Sequence, residues 1–203
     1  MTEQTVLTIK TMAEDVLAFH KAEVIPFDDT TMTVPTILLH ALKTKHNDAR
    51  KYLKNIASET KTMITSGGVA PEELSGKLST KIQERAWREL IGGKAKVQEM
   101  DITDFQRAIV IPYECNGVKT TMTVNYFLYE EIKAKFMKKN SSEQSAAKEA
   151  KNYFKEKAAL VKAEMIQKGV PEDELRGKVS SKVAEIVYVE LLPAKVRNSI
   201  VNV

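Results

Sequence analysis

Thr30-Thr31-Met32-Thr33-Val34 returns as Thr120-Thr121-Met122-Thr123-Val124, and the surroundings of the first run return with it. Upstream, Val24-Ile25-Pro26-Phe27 matches Val110-Ile111-Pro112-Tyr113. Downstream, Ala49-Arg50-Lys51-Tyr52-Leu53 answers Ala150-Lys151-Asn152-Tyr153-Phe154, and Met63-Ile64 answers Met165-Ile166. The longest echo sets Gly68 through Lys81 against Gly169 through Lys182, and Trp87-Arg88-Glu89-Leu90 and Tyr188-Val189-Glu190-Leu191 close the two copies. A repeat of this length is domain-sized, so the pattern predicts a tandem pair of related units, 1–93 and 94–203, and not a solenoid of short repeats.

Period decides the elements within each copy. Val6, Ile9, Met12, Val16 and Phe19 fall at helical spacing, predicting an amphipathic helix over Thr5 to Lys21. Ala22 to Phe27 and Thr30 to Val34 read as two strands around Asp28-Asp29. Ala108 to Tyr113 and Val118 to Val124 repeat them around Asn116-Gly117, a strong hairpin signal. Asp28-Asp29 and Glu114 are expected in corresponding turns, where acids are ordinarily solvated.

Pro35 suits the first position of a helix, and Leu38, Leu42, Ala49, Leu53, Ile56 and Met63 keep helical spacing to Ser66-Gly67-Gly68, so one long helix is the simplest reading. The second copy is eleven residues longer here, judged from Lys45–Ala49 against Lys135–Ala150. The extra residues either lengthen the helix by about three turns or break it at Asn140 to Ser145, a turn-and-cap composition. Pro71 and Pro171, each followed by acids, open the last helix of each copy, with Gly76 and Gly177 where a short helix meets a longer one. Val179, Val183, Ile186 and Leu191 are β-branched enough to pass for a strand, but the repeat argues for helix. Gly92-Gly93 links the copies, and Pro193 leaves Ala194 to Val203 as a tail that docks or frays. The fold class that follows is α+β, helix-rich: a β-hairpin plus two-helix unit in tandem, related by a pseudo-two-fold axis. Tyr52 with Tyr153, and Trp87 with Tyr188, become equivalent core positions.

Composition narrows the chemistry. The chain has 203 residues, 43% of them hydrophobic, enough to bury a shared core or two smaller ones. No apolar run approaches a bilayer span, Met1 to Lys10 lacks the pattern of a signal peptide, and Cys115 is the only cysteine, which together point to a cytoplasmic protein with no membrane partner. Gly76-Lys77 and Gly177-Lys178 lack the spacing of a phosphate-binding loop, so no NTPase is expected. His20, His40 and His46 all lie in the first copy, far in sequence from Cys115, and support neither a zinc site nor a Cys-His nucleophile. No catalytic residues, cofactor, metal or small-molecule substrate are expected.

Charge is the remaining signal. The net charge of +4 divides evenly, with 14 basic against 12 acidic residues up to Lys96 and 17 against 15 beyond it. Lys43, Lys45, Arg50, Lys51 and Lys54 in the first copy, and Lys133, Lys135, Lys138, Lys139 and Lys151 in the second, form basic helical faces. Such faces either neutralise phosphates or are simply solvated.

A Thr-Met-Thr-Val strand leading straight into helices is similar in pattern to the ribbon-helix-helix DNA-binding proteins, best from Lys119 through Lys157. The likeness implies a ribbon in the major groove with Thr121 and Thr123 facing the bases and Met122 and Val124 facing the core. It covers under half of one copy, and both copies add an upstream strand and a further helix. The leading expectation is a non-enzymatic, regulatory or genome-maintenance protein that binds nucleic acid, double-stranded DNA in particular, as a monomer with internal pseudo-symmetry or a homodimer. The alternative is a protein-interaction module, an inhibitor or adaptor acting through the duplicated surface.

Overall fold

The computed structural model describes residues 21–70, 74–92, 107–139 and 142–201, which form seven helices and two two-stranded antiparallel sheets, an α+β fold. The helix expected over Thr5 to Lys21, the openings at Pro71 and the linker residue Gly93 lie outside the described residues, except for Lys21 itself. The chain divides into two compact units, one containing Met1–Gln98 with Leu192–Val203 and the other Glu99–Leu191.

In the first unit, β1 (Ala22–Phe27) pairs with β2 (Thr30–Pro35), followed by α1 (Thr36–Lys43), α2 (Ala49–Ser66) and α3 (Leu74–Ile91). Alternation places Ile25, Phe27, Met32 and Val34 on one face, all buried, with α2 against β1 and α3 against β2. Leu38 and Leu42 of α1, Leu53 and Ala57 of α2, and Ile82, Ala86, Trp87 and Leu90 of α3 complete the core. The closing pair Phe27 and Thr30 of a two-residue hairpin is hydrogen-bonded, so alternate residues turn their backbone groups outward. Thr33 is one of them: its N–H donates to Ser79 Oγ at 3.1 Å and its carbonyl accepts from Gln83 Nε2 at 2.8 Å. The outer edge of β2 is thus sealed by side chains of α3, while Pro26, also at an outward site, has no N–H to seal.

The single long helix expected here is split at 44–48, where Asp48 accepts the Lys51 N–H at 2.9 Å and starts α2 afresh. Pro35 ends β2 and precedes α1 instead of occupying its first position, because its ψ of 134° is extended. The tail forms a helix as well, α7 (Ala194–Val201), which packs along α1. Five of the eight residues of α1 are buried: Ile37, Leu38, Leu39, Ala41 and Leu42.

The second unit runs β3 (Ala108–Cys115), β4 (Val118–Asn125), α4 (Tyr126–Met137), α5 (Glu143–Gln167) and α6 (Glu172–Leu191). Its hairpin keeps the register of the first, Ile111 opposite Met122 as Ile25 is opposite Met32, but extends further, so Glu114 lies in β3 opposite Lys119 and not in the turn. The turn is Asn116-Gly117, both at positive φ. Ile111, Tyr113, Met122 and Val124 face inward, and α5 packs on β3 and α6 on β4. Here too the edge is sealed from the last helix, by Thr123 N–H to Ser180 Oγ at 3.2 Å.

The eleven extra residues lengthen the two helices, and the break lies where the first unit has its own. α4 has 12 residues where α1 has 8, α5 has 25 where α2 has 18, and the connection stays at five residues, 138–142 against 44–48. Ser142 caps α5 by accepting the Ser145 N–H. Both second helices end alike: Val69 N–H bonds Ile64 O and Gly68 N–H bonds Thr65 O, while Val170 bonds Met165 and Gly169 bonds Ile166. That pairs Ile64 with Met165, both buried, and shifts the expected match of Met63-Ile64 by one residue. Gly76 and Gly177 do not sit where two helices meet; α3 and α6 are each continuous through them. Among the described residues no helix is long and apolar enough to cross a membrane.

Candidate nucleic-acid interface

The basic residues gather around one feature of each unit, the five-residue connection between its first two helices. In the first unit Lys43 ends α1, Lys45 lies in the connection, and Arg50, Lys51 and Lys54 occupy the opening turns of α2. All five are exposed. Arg50 is ion-paired with Glu23, and Lys45 Nζ donates to the Glu89 carbonyl at 2.5 Å. Lys43, Lys51 and Lys54 have no carboxylate partner among the described residues.

The connection is pinned from below by a single carboxylate. Glu89, near the end of α3, accepts the Tyr52 hydroxyl proton at Oε2 and meets His46 Nε2 at Oε1 at 2.6 Å. His46 in turn stacks on the Tyr52 ring with centroids 3.9 Å apart. Burial, then the bond to Glu89, pushes the Tyr52 phenol well above its usual range, so it remains a hydrogen-bond donor and is not activated as a nucleophile.

In the second unit Lys133 and Lys135 lie on α4, Lys138 and Lys139 in the connection, and Lys151 on α5. Lys133 is engaged by Glu130 at 2.8 Å and Glu143 at 3.1 Å, and hydrogen bonding to Glu130 raises its pKa well above the lysine range. Lys135 is exposed and has a partner of its own. Lys138, Lys139 and Lys151 are exposed and have no carboxylate partner among the described residues. Lys151 shares an open depression with Ser142, Gln144, Ser145, Ala147 and Lys148 at the start of α5. The pin recurs with a different cation: Glu190 accepts from the Tyr153 hydroxyl and pairs with Lys157 at 2.5 Å, and Lys157 lies 4.8 Å from the centre of the Tyr153 ring. Burial and Glu190 hold the Tyr153 phenol protonated.

Thr123 is exposed on the outward face of the second hairpin, and Thr121 beside it is half-buried. The alternation expected there holds, with Met122 and Val124 in the core. Tyr52 and Tyr153, expected as core residues, are half-buried pins, whereas Trp87 and Tyr188 are buried. Asn125 Nδ2 donates to the Tyr188 hydroxyl at 2.8 Å.

Two polar pairs escaped the sequence reading. Lys81 reaches Glu84 at 3.0 Å and Lys182 reaches Glu185 at 3.2 Å, each three residues along its helix and largely buried. The signal was present, since Lys-x-x-Glu stands at the same place in both echoes, but a charged pair on a helix reads as a solvated face by default. The chain matches no protein-family model, no curated protein and no solved structure.

Proposed function

We propose that the protein is a non-enzymatic binder of nucleic acid, acting on double-stranded DNA in a regulatory or genome-maintenance role. One observation carries this reading. In each unit three exposed lysines with no carboxylate partner among the described residues, Lys43, Lys51 and Lys54 or Lys138, Lys139 and Lys151, stand at and beside the same pinned connection. A solvated lysine on a helix gains little by staying clear of carboxylates, whereas a phosphate contact requires it, because a lysine already neutralised releases no counterion on binding. The opening turn of a helix adds partial positive charge at the same place. Arg50 and Lys133, held by the protein's own acids, contribute less to this surface.

The test is a titration of a short mixed-sequence duplex at several salt concentrations, with the wild type beside K43Q/K51Q/K54Q and K138Q/K139Q/K151Q. Glutamine keeps helix propensity close to that of lysine, so the comparison reports charge. Each triple variant is expected to weaken binding to all sequences alike and to lower the log–log salt slope by up to about 2.7, at about 0.9 per lost phosphate contact. R50Q is expected to change the slope less. No binding by the wild type at low salt would overturn the reading and turn attention to a protein partner.

A further inference from the structure

The last helix of the chain is charged in a way that its own stability does not explain. Lys195 and Arg197 are the second and fourth residues of α7, which has no acid in its first turn and no base in its last. The helix dipole favours the reverse, acids at the start and cations at the end. The start of α6 shows the favourable pattern, with Glu172, Asp173 and Glu174. Nor do ion pairs along the helix compensate. Lys133 with Glu130, Lys168 with Glu164 and Lys178 with Glu174 pair three or four residues apart, whereas residues 192–203 contain no acid. Lys195 is exposed, Arg197 is half-buried, and neither has a carboxylate partner among the described residues.

The packing of α7 decides where these cations stand. Val196, between them, is buried and Ile200, one turn on, is half-buried, so the covered side of α7 runs through these two. Adjacent residues of a helix are rotated by about 100°, which sets Lys195 on one flank of the covered line and Arg197 on the other. Since α7 packs along α1, the two cations straddle the seam between the helices. α1 ends at Lys43 and runs into the connection that carries Lys45. Helices of this length span about 12 Å and pack about 8–10 Å apart, so both cations fall within about 20 Å of Lys43. A duplex presents about a dozen phosphates over that distance, one per ~1.7 Å of axis. In this unit Arg50 is taken up by Glu23 and Lys45 by the Glu89 carbonyl, and α7 restores two cations to the same neighbourhood.

We infer that α7 is part of the phosphate-binding surface of the first unit, with Lys195 and Arg197 as contacts to the duplex backbone. The inference rests on the duplex-binding role proposed above and adds to it a segment outside the repeat. An anionic partner turns the opening-turn charges from a cost into a gain: the cations that the helix dipole disfavours in the free protein attract phosphate in the complex. Arg197 offers a planar fork of donors and Lys195 a single ammonium, and both act without regard to base sequence. Phosphates held by α7 and by Lys43 at once also keep α7 on α1, so bound duplex stabilises the docked helix as any ligand of the folded state does.

The full chain carrying K195Q/R197Q tests this, titrated with the mixed-sequence duplex at several salt concentrations beside the wild type and K43Q/K51Q/K54Q. Glutamine keeps helix propensity and leaves Val196 and Ile200 in place, and the urea midpoint followed by Trp87 fluorescence reports whether the first unit is intact. The midpoint is expected to stay unchanged or rise slightly. The log–log salt slope is expected to fall by up to about 1.8, at about 0.9 per phosphate contact, and the affinity at about 0.1 M salt to fall roughly tenfold or more. Reversing both charges, K195E/R197E, is expected to weaken binding further. Wild-type slope and affinity in K195Q/R197Q, with K43Q/K51Q/K54Q weakened, overturns the inference while the binding role stands. A lower affinity that comes with a lower Trp87 midpoint also overturns it, assigning the two cations to the docking of α7. Failure of the wild type to bind duplex at low salt removes both.

Discussion

Lys182 is 2% exposed, and its ammonium pairs with Glu185 at 3.2 Å inside α6, so two charges have been withdrawn from water. Burial lowers the lysine, with Glu185 and then Glu164 opposing, and burial raises Glu185, with Lys182 opposing. Removing one partner strands the other, and K182M is expected to cost about 3–5 kcal/mol near neutral pH, read from the shift in urea midpoint. Replacing both, K182M/E185L, should be close to neutral or stabilising. The sign of the pH dependence follows from Glu185. A carboxyl raised in the folded state contributes stability that is present below its unfolded value, 4.5, and is lost as pH rises through its folded value. With Lys182 gone that rise is larger, so K182M should lose stability between pH 4.5 and neutrality more steeply than the wild type, and the double variant should flatten the profile. The sequence displayed this pair in duplicate but could not show its burial, because helical charges face water unless another element covers them, and that cover comes from tertiary packing.

The hairpins were the most legible elements. Period-two alternation fixes which face is inside, and a slip of one residue would expose Met32, Val34, Met122 and Val124 together. The break at 44–48 was hidden for a physical reason. Leu42 and Ala49 are seven residues apart, close to two helical turns, so the apolar stripe resumes in phase across the break. Only the polar stretch ending at the Asp48 cap marks it. The glycine after each second helix was legible because left-handed geometry is demanded there: φ is +82° at Gly68 and +75° at Gly169, and the following N–H bonds back to Ile64 or Met165. Nothing lies within 4 Å of a Cβ added at Gly169, so G169A isolates backbone strain. It should cost about 1–2 kcal/mol in urea unfolding, with G169N recovering part of the loss because asparagine enters this region more readily. Equal stability of G169A and the wild type would contradict the assigned geometry.

At the scale of the molecule, the first unit is built from both ends of the chain, since α7 packs along α1. The sequence held a hint of this. Ile37, Leu38, Leu39, Ala41 and Leu42 give α1 an apolar side wide enough to meet more than one neighbour, whereas the equivalent stretch of α4 has Glu130-Glu131 where α1 has His40-Ala41. Ala41 is 0% exposed and Glu131 is half-exposed. Truncation after Leu191 should therefore destabilise the first unit selectively. Trp87, the only tryptophan, is buried in that unit and reports it by fluorescence, while circular dichroism follows both units. The tryptophan transition is expected to move to lower denaturant, leaving a second transition by circular dichroism near its original midpoint; coincident, unshifted transitions would show that α7 adds nothing. The same arrangement sets an order of events at the ribosome. Domains ordinarily fold from the N-terminus onward as they are made. Here residues 107–191 of the second unit emerge as one contiguous stretch, while the first waits for a helix translated after all of it. Of the two units, the one begun first is completed later, and through that interval the apolar side of α1 is the surface a chaperone would meet.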